Sequence, residues 1–478
     1  MVAAHPADTP ASPAAKKIAV IGTGIAGLSA AYLLSRKHHV TVFEREAAVG
    51  MDAHSVDCLG ARMDIPLRVF SEAYYPNLCN IYRLLGVKYR TADYSFNCVT
   101  PQHSAAAYFR YVNAFVAGMA LPMPLVRTPR QVVKCLRLAV EFAHFVRCSP
   151  AYIRGNEHLT LAEFLAKFGY SAEFSAALLL PMLSVVCTCS YRAVEAYPAE
   201  IVVDYFAGKY GLSGAQCRAY GGTRDVVARL TAPVARCVLS ADVVAVVAGA
   251  APSVSYTDGE GKAHREEFDE VVLATQANVC ARILKTEDEE VLAMLNSFEY
   301  EKKRVVLHTD ASLMPTQLRD WSPLNIVVDT DASAASATVW MNQIDRGLKQ
   351  ELQAPLFQTW NPLVEPQPDS VRCDYGFERP VVTFASARAM RQLQAAQGRA
   401  HIWFVGAYSR YSMPLLENGV KSSMEVARKL GVDCSDVEFD EAACEASRVA
   451  RRASSLRLAA ATAAALLVVG AALRAARR

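Results

Sequence analysis

The segment KIAVIGTGIAG, from Lys17 to Gly27, carries the clearest indication of the fold. Its first part, Ile18–Ile21, is short, apolar and partly β-branched, which is typical of a buried parallel strand. Glycines follow, then LSAAYLLSRK, which favours a helix, and HVTVFE, which favours a second strand ending at Glu44. The order strand, helix, strand predicts a β-α-β unit at the front of a parallel sheet.

Three glycines follow the first strand with the spacing G-x-G-x-x-G, at Gly22, Gly24 and Gly27. In this pattern the first glycine permits a tight turn, and the second lets the backbone approach a pyrophosphate. The third lets the helix pack closely on the strand. Ile25 and Ala26 begin the helix, whose free N–H groups and partial positive charge suit phosphates. The stretch therefore predicts a dinucleotide site built from backbone.

An acid stands at the end of the second strand. Glu44 lies 22 positions after Gly22, where a carboxylate can accept hydrogen bonds from both ribose hydroxyls of an adenosine. The same negative charge would repel the 2′-phosphate of NADP. The pattern therefore favours FAD or NAD as the dinucleotide.

The residues after Glu44 distinguish between these two cofactors. The segment REAAVG at 45–50 resembles one by which the FAD-dependent amine oxidase and phytoene desaturase superfamily wraps the ribityl chain and pyrophosphate of its flavin. Gly50 matches the first of a glycine pair in that superfamily, and Met51 replaces the second. The resemblance implies a Rossmann-like fold that binds FAD, with Arg45 and Gly50 among the cofactor-binding residues.

A closer resemblance extends through most of the chain, from Ile18 to Gly431. The sequence is similar to predicted NAD/FAD-binding oxidoreductases that are associated with cyclopropane fatty-acid synthases. The matching segments are MDIPLRVF at 63–70, YPNL at 75–78, LHTD at 307–310, LMP at 313–315, Trp321, Asn325, WMN at 340–342 and WNP at 360–362. This resemblance implies an apolar or amine small-molecule substrate and suggests a lipid methyltransferase as a partner.

A third motif lies near the C-terminal end, as VGAY at 405–408 and LENGVKSS at 416–423. In the superfamily this junction lies against the flavin, which implies cofactor contacts from Gly406, Glu417, Gly419 and Val420. Asn418 is predicted to be the N-cap of a helix that runs to Leu430 and stops at Gly431. Relatives often carry His where Leu416 stands in this chain.

Some oxidases of the superfamily tether their flavin through a cysteine near this junction. No cysteine lies between Cys373 and Cys434. We therefore expect the flavin to be bound non-covalently.

No catalytic residue is predicted, because flavin itself accepts the hydride and the protein need only position a C–H bond and exclude water. The polar and aromatic candidates inside matched motifs are Arg68, His308, Asp310, Tyr408 and Tyr411. An alternating His-Thr-Asp strand is more often structural, and the two tyrosines suit core packing as well as contact with a ligand. The turn YGGTR at 220–224 either passes near the cofactor or is a plain hairpin turn.

The predicted fold class is α/β: a Rossmann-like FAD-binding domain with a parallel sheet, an interleaved α+β substrate domain and a C-terminal hydrophobic helix. Strands at Phe268–Thr275 and His401–Gly406 are expected to complete the parallel sheet. The FAD-binding domain would comprise residues 16–70, 215–285 and 398–432, and the substrate domain residues 71–214 and 286–397. Residues 1–15 are predicted to be a flexible leader and 433–457 a linker.

The end of the chain predicts a membrane anchor. The segment 458–473 has 16 residues without a charge, and arginines flank it on both sides. At about 1.5 Å per residue such a helix reaches about 24 Å, short of the roughly 30 Å core of a bilayer. Snorkelling arginines would cover part of the difference. We expect a single-pass membrane association, with an Ala-rich packing helix as the alternative.

Composition limits the remaining classes. The chain of 478 residues has 50 Lys and Arg against 47 acids, a net charge of +3, which argues against a nucleic-acid partner. Its 13 cysteines follow no disulfide framework, which favours a reducing, intracellular location. Cys187 and Cys189 are too close for a zinc-ribbon pattern, and no metal site is predicted.

Two functions follow from these patterns. The first is an FAD-dependent oxidoreductase that takes a hydride from an amine or a lipid-like substrate. The alternative is a catalytically weak flavin-fold scaffold that anchors a lipid-modifying partner at a membrane, motivated by the departures at Met51, Ile65-Pro66 and Leu416. A third class, an NAD-dependent dehydrogenase, lacks a second glycine fingerprint.

Overall fold

The predicted β-α-β unit is present, and three separated segments of chain extend it into one parallel sheet. The computed structural model describes residues 14–52, 54–100, 107–111, 114–116, 119–121, 129–207, 216–329 and 334–439. The first elements are β1 (Lys17–Ile21), α1 (Ile25–Leu34), β2 (His39–Phe43), β3 (Val56–Cys58), β4 (Ala61–Met63) and α2 (Pro76–Leu84).

The middle of the chain adds short strands, a group of helices and then more strands. The next strands are β5 (Tyr89–Thr91), β6 (Phe96–Val99), β7 (Phe109–Tyr111), β8 (Ala114–Val116) and β9 (Met119–Leu121). The helices are α3 (Pro129–Tyr152), α4 (Leu161–Lys167), α5 (Ala172–Phe174), α6 (Leu180–Cys187), α7 (Tyr191–Glu195) and α8 (Ala199–Ala207). They are followed by β10 (Cys217–Ala219), α9 (Gly222–Thr231), β11 (Arg236–Val238), β12 (Asp242–Val247), β13 (Ser253–Thr257), β14 (Ala263–Glu267) and β15 (Glu270–Leu273).

The last third of the described chain alternates helices with longer strands. Its first half contains α10 (Ala277–Ile283), β16 (Leu284–Lys285), α11 (Glu289–Asn296), β17 (Glu299–His308), β18 (Leu324–Val328), β19 (Ala335–Trp340) and α12 (Met341–Ile344). Its second half contains α13 (Arg346–Glu351), β20 (Phe357–Trp360), β21 (Val371–Val381), α14 (Phe384–Ala396), β22 (Ile402–Phe404) and α15 (Leu416–Lys429).

The parallel sheet has the strand order β11-β2-β1-β15-β22, with every neighbouring pair parallel. In the central strand, Val20 pairs with Val42 on one side and Val272 on the other, and all three are buried. Burial on both faces explains the continuous apolar runs of these strands. The strands predicted within Phe268–Thr275 and His401–Gly406 are confirmed, as the shorter β15 and β22.

A second sheet of seven strands has the order β21-β17-β20-β19-β18-β6-β7. Its pairs are antiparallel except for β18 and β6, which run parallel. A third sheet has four strands, in the order β14-β13-β12-β16. The fold is therefore mixed α/β with a Rossmann-like parallel sheet, while the exact boundaries of the two domains stay a prediction.

Met1–Cys434 is one compact unit, and Ser435–Arg478 is a second. Most of the predicted leader (1–15), the later part of the predicted linker (433–457) and the whole predicted anchor (458–473) lie outside the described residues. Among the residues that are described, no helix has the length and apolar character needed to cross a bilayer.

The C-terminal helix corrects one prediction. It begins at Leu416 with Leu415 as its N-cap, so Asn418 is not the cap but lies inside the first turn. The Asn418 side chain instead donates from Nδ2 to the carbonyl of Met413. The predicted stop is confirmed: the helix ends at Lys429, and Gly431 has a φ of +79°, a conformation that glycine adopts without strain.

Candidate functional site

The turn between β1 and α1 contains three glycines, and backbone geometry or close packing requires glycine at two of them. Gly22 has a φ of +99°, which L side chains rarely adopt. A Cβ on Gly27 would lie 2.0 Å from the carbonyl oxygen of Gly22, so only glycine lets α1 approach this turn. Gly24 is different, because a Cβ there would meet nothing within 4 Å. The backbone at Gly24 is therefore open for a ligand to approach.

The N-terminus of α1 has no side-chain cap. Its first-turn residues Ile25 and Ala26 are buried, and they contact Gly419 of α15: a Cβ on Gly419 would lie 3.3 Å from Ala26 Cβ and 3.4 Å from Ile25 Cγ2. Ser423 Oγ donates to the carbonyl of Ala26 at 2.7 Å. The two sequence-predicted motifs, far apart in the chain, are thus packed together.

The N-terminus of α15 also has no side-chain cap. Because helix N-termini carry a partial positive charge and unpaired N–H groups, two of them in one region favour a negatively charged ligand. The buried Val420 lies in the first turns of α15 and contributes to this packing. The arrangement is suited to the phosphates or the electron-rich ring of a dinucleotide.

Glu44 lies directly after β2, beside the glycine turn. Its Oε2 accepts a hydrogen bond from the backbone N–H of Thr23 at 3.1 Å and one from the Thr23 hydroxyl. Its Oε1 accepts from the backbone N–H of Glu46 at 2.9 Å. These bonds fix the carboxylate at the carboxyl end of the sheet, next to the turn, and its remaining lone pairs can accept from a ribose.

The segment after Glu44 contains one position that is constrained by packing, Gly50, and one that is exposed to solvent, Arg45. Gly50 has a φ of +55°, and a Cβ there would lie 1.9 Å from the carbonyl oxygen of Thr23. Met51, which replaces the second glycine of the superfamily, is buried. Arg45 is largely exposed and pairs with Glu46 at 3.1 Å. Gly50 is thus required for packing against the turn, whereas Arg45 faces solvent.

Glu417 is engaged by the protein itself. Its Oε1 accepts from the backbone N–H of Asn77 at 3.0 Å and from the Asn77 side chain, and its Oε2 accepts from the N–H of Leu78 at 3.1 Å. These are donors at the start of α2, which has no cap of its own. Burial raises the pKa of Glu417, while the bonds from Asn77 and Leu78 oppose this. The Glu417 carboxylate therefore binds the start of α2 in this structure.

Gly406 connects β22 to the last helix. Its N–H donates to Ser422 Oγ at 3.0 Å, and a Cβ there would lie 2.6 Å from the ring of Tyr408. Tyr408 is buried edge-on against Phe298, with ring centroids 5.3 Å apart. These contacts give Tyr408 a role in core packing. Tyr411 contacts Glu200 through its hydroxyl and lies under the guanidinium of Arg391.

The turn YGGTR leads into α9 and is tied to a residue that sequence reasoning did not single out. Asp64 Oδ1 accepts from the N–H of Thr223 at 3.0 Å and from its hydroxyl at 2.7 Å, so it caps this helix. Gly222 has a φ of +62°, and a Cβ on it would lie 3.0 Å from the same oxygen. Asp64 lies inside the matched segment MDIPLRVF, and that match is the sequence signal that could have identified it.

His308 is a structural residue. It is fully buried, and its Nε2 is 2.7 Å from the hydroxyl of Thr359 on the neighbouring strand. Asp310 Oδ1 accepts from the N–H of Ser312 at 2.8 Å and caps a short turn. Burial lowers the pKa of His308 to about 4, although Asp310 acts in the opposite direction.

This shift predicts a pH dependence of stability. Because the unfolded imidazole titrates near 6.5, His308 contributes stability above that pH, which is lost as the pH falls toward 4. The difference between the unfolded pKa and the folded pKa of about 4 corresponds to about 3 kcal/mol of proton-binding free energy. Between pH 7 and pH 4.5 the free energy of unfolding of the wild type should therefore fall by about 2 to 3 kcal/mol more than that of His308→Gln. Urea unfolding at both pH values measures this, and the exposed His158→Gln should leave the wild-type pH dependence unchanged.

The residues present fit a dinucleotide cofactor, the class to which FAD belongs. The open backbone at Gly24, the uncapped helix N-termini and the acid at the end of β2 are the features that a dinucleotide requires. Among the described residues no group of His, Cys, Asp and Glu could hold a metal ion.

Comparisons with known proteins support the fold. Residues 20–85 match the family model described as an NAD(P)-binding Rossmann-like domain. No curated protein matches the chain. Among solved structures, the chain is similar to a CLA-producing fatty acid isomerase from P. acnes, with a TM-score of 0.59 and 15% identity. That match covers 87% of this chain and 99% of the isomerase.

Two further solved structures share the fold over similar lengths. A putative protoporphyrinogen oxidase from Exiguobacterium sp. 255-15 has a TM-score of 0.58 and 13% identity, covering 88% of this chain and 99% of its own. A variant of putrescine oxidase made for redesign of cofactor binding has a TM-score of 0.57 and 14% identity, covering 87% and 99%. At these identities the likeness establishes a common fold across nearly the whole described chain.

Proposed function

We propose that the protein is an FAD-dependent oxidoreductase that transfers a hydride from an amine or lipid-like substrate to non-covalently bound flavin. The observation that carries this proposal is the meeting of two uncapped helix N-termini beside the open backbone of Gly24, with Glu44 fixed at the adjacent strand end. Bound FAD would supply the hydride acceptor. The neighbours named above as oxidases and a fatty acid isomerase, together with the segments matched in the sequence, support the same class.

The roles of the chain's own groups follow from the site. Backbone N–H groups of α1 would bind the diphosphate, and Glu44 would accept from the adenosine ribose. The N-terminus of α15 would stabilise negative charge on a ring placed against it. Glu417 holds α2 against α15 and so keeps this wall of the site in place. Buried aromatic side chains around the site would exclude water.

The test is direct. Protein purified under mild conditions should be yellow, and mass spectrometry of the supernatant after heat denaturation should find FAD. Anaerobic addition of substrate should bleach the flavin absorbance. NAD in place of FAD, or a protein that cannot be reconstituted with FAD, would refute the proposal.

A second candidate is the flavin-fold scaffold that anchors a lipid-modifying enzyme. The engagement of the Glu417 carboxylate with α2, together with Met51 at a position of the glycine pair, favours it. It predicts bound or absent FAD with no reduction by any lipid extract, and copurification with a methyltransferase. Attachment to a membrane through 458–473, and the association with cyclopropane fatty-acid synthases, belong to the proposal on sequence grounds alone.

A further inference from the structure

Two half-buried arginines, Arg68 and Arg379, have no acid paired with them among the described residues. The Nε atoms of Arg68 and Arg379 are both buried, and neither has a hydrogen-bond acceptor among the described residues. We propose that Arg68 and Arg379 together bind the carboxylate of a substrate whose remainder is apolar, in the class of long-chain fatty acids. This inference rests on the proposed function, because it names the substrate class of the same enzyme.

One glutamine links the two arginines. Gln358 on β20 accepts from the N–H of Leu67 at 2.7 Å and donates to the carbonyl of Asp64 at 3.1 Å, which fixes the backbone that carries Arg68. The same Gln358 oxygen accepts from Trp360 Nε1 at 3.2 Å. The Trp360 ring centroid lies 6.0 Å from the guanidinium carbon of Arg379. Both arginines are therefore positioned around Gln358.

The strand register places these groups on one face of the seven-stranded sheet. Tyr375 on β21 and Trp360 on β20 are both paired with Val305 on β17, so their side chains point to the same face. Arg379 lies four residues after Tyr375, and side chains alternate along a strand, so it shares that face. Arg68 approaches this face from the segment held by Gln358.

The nearest acids are engaged elsewhere. The Asp64 carboxylate accepts from Thr223 on one oxygen and from Arg218 at 3.3 Å on the other. Glu301 is paired directly with Arg379 across the strands, yet its carboxylate binds Ser190 and Lys303 instead, at 2.7 to 3.0 Å. Neither arginine is therefore neutralised by the protein.

The charge balance points to an anion. Burial lowers the pKa of Arg68 to about 10, and the charge of Arg379 adds to this effect. Burial also lowers the pKa of Arg379. Two like charges that are partly shielded from water, with no acid paired to either, favour the binding of an anion. A carboxylate satisfies both guanidinium groups with charge-assisted hydrogen bonds, whereas an ammonium group would be repelled.

The surroundings are aromatic rather than polar. Tyr75 acts electrostatically on Arg68, and its ring lies 6.4 Å from that of Tyr74, which packs on Tyr205 at 5.6 Å. Burial raises the pKa of Tyr74 to about 12, and Tyr111 acts on it as well. Rings at this position offer apolar surface to an alkyl chain next to the arginine pair. The chemistry therefore favours a fatty acid over an amine.

The test measures binding, not turnover. The purified full-length protein, with whatever cofactor it retains, is titrated by calorimetry with dodecanoate, dodecanol and dodecylamine below their micelle concentrations. Dodecanoate should bind at least about tenfold more tightly than the other two. Arg68→Met and Arg379→Met should each weaken dodecanoate about 10- to 100-fold and leave dodecanol unchanged. The exposed Arg319→Met is the matched control and should change nothing.

Folding of the variants is checked by thermal unfolding. Because each substitution removes a half-buried charge that no acid pairs with, the melting temperature should be equal to or above that of the wild type. The inference is overturned if dodecanoate binds no better than dodecanol, or if both arginine variants bind dodecanoate like the wild type. It is also overturned if the variants lose FAD, because the arginines would then serve a cofactor anion.

The two proposals fail in different ways. If no flavin is found but dodecanoate binding depends on both arginines, the substrate-class inference stands and the redox proposal fails. If an amine bleaches the flavin and dodecanoate does not bind, the redox proposal stands and the inference fails.

Discussion

Gly27→Ala should prevent the chain from folding into a soluble, cooperative structure. A Cβ at this position would lie 2.0 Å from the carbonyl oxygen of Gly22 and 3.1 Å from the Cβ of Ala274. The first of these is a backbone atom inside the turn, so no side-chain rotation can relieve the clash. The helix α1 would have to move away from both β1 and β15. We expect a loss of at least about 3 kcal/mol, a large share of the stability of a typical domain.

Soluble yield and the thermal midpoint by circular dichroism measure this effect. Gly24→Ala, three residues earlier in the same turn, is the matched control, because its Cβ meets nothing within 4 Å. It should fold with a stability within about 1 kcal/mol of the wild type, since alanine is only a poorer N-cap than glycine. A Gly27→Ala protein with the melting temperature of the wild type would contradict the packing described for α1.

Gly24→Leu should give folded protein that has lost its flavin. Gly24 has a φ of −62°, which leucine adopts freely, and the space beside it is open. A leucine side chain there would occupy the space that a diphosphate needs in order to reach the N–H groups of α1. Losing hydrogen bonds to a charged group reduces affinity by at least about tenfold.

The ratio of flavin to protein absorbance in the purified sample, and reconstitution with added FAD, provide the measurement. Gly376→Leu is the matched control, because Gly376 also has nothing within 4 Å of an added Cβ and lies exposed on β21. It should retain its flavin. Full flavin content in Gly24→Leu, with the fold intact, would mean that the dinucleotide does not cross this turn.

Much of the cofactor half of the fold could be predicted because its signals are local. The apolar run of β1, the glycine spacing and the acid after β2 lie within Lys17–Glu44, and each constrains its immediate neighbours. The stop of the last helix at Gly431 is also local, because a positive φ ends a helix whatever surrounds it.

The one clear error has a tertiary cause. Asn418 has a side chain typical of an N-cap, but the N-cap is Leu415, three residues earlier. The first turn of this helix is instead held by a tertiary contact, in which Glu417 accepts from donors of α2. Those donors come from a segment about 340 residues away, as in the bond between Asn77 and Glu417. A cap assigned from neighbours in sequence cannot include such a contact.

The local sequence was enough to specify the first strand, the glycine turn, the helix and the acid beside the turn. Hydrogen bonding and backbone sterics act over a few residues, so these features need no distant partner. The contact of α15 with α1, the bonds from α2 to Glu417, and the position of Arg68 and Arg379 near acids that pair elsewhere all depend on the tertiary fold. Those juxtapositions depend on which sheet faces pack together, because buried charges and helix ends are neutralised by groups brought close in space rather than along the chain.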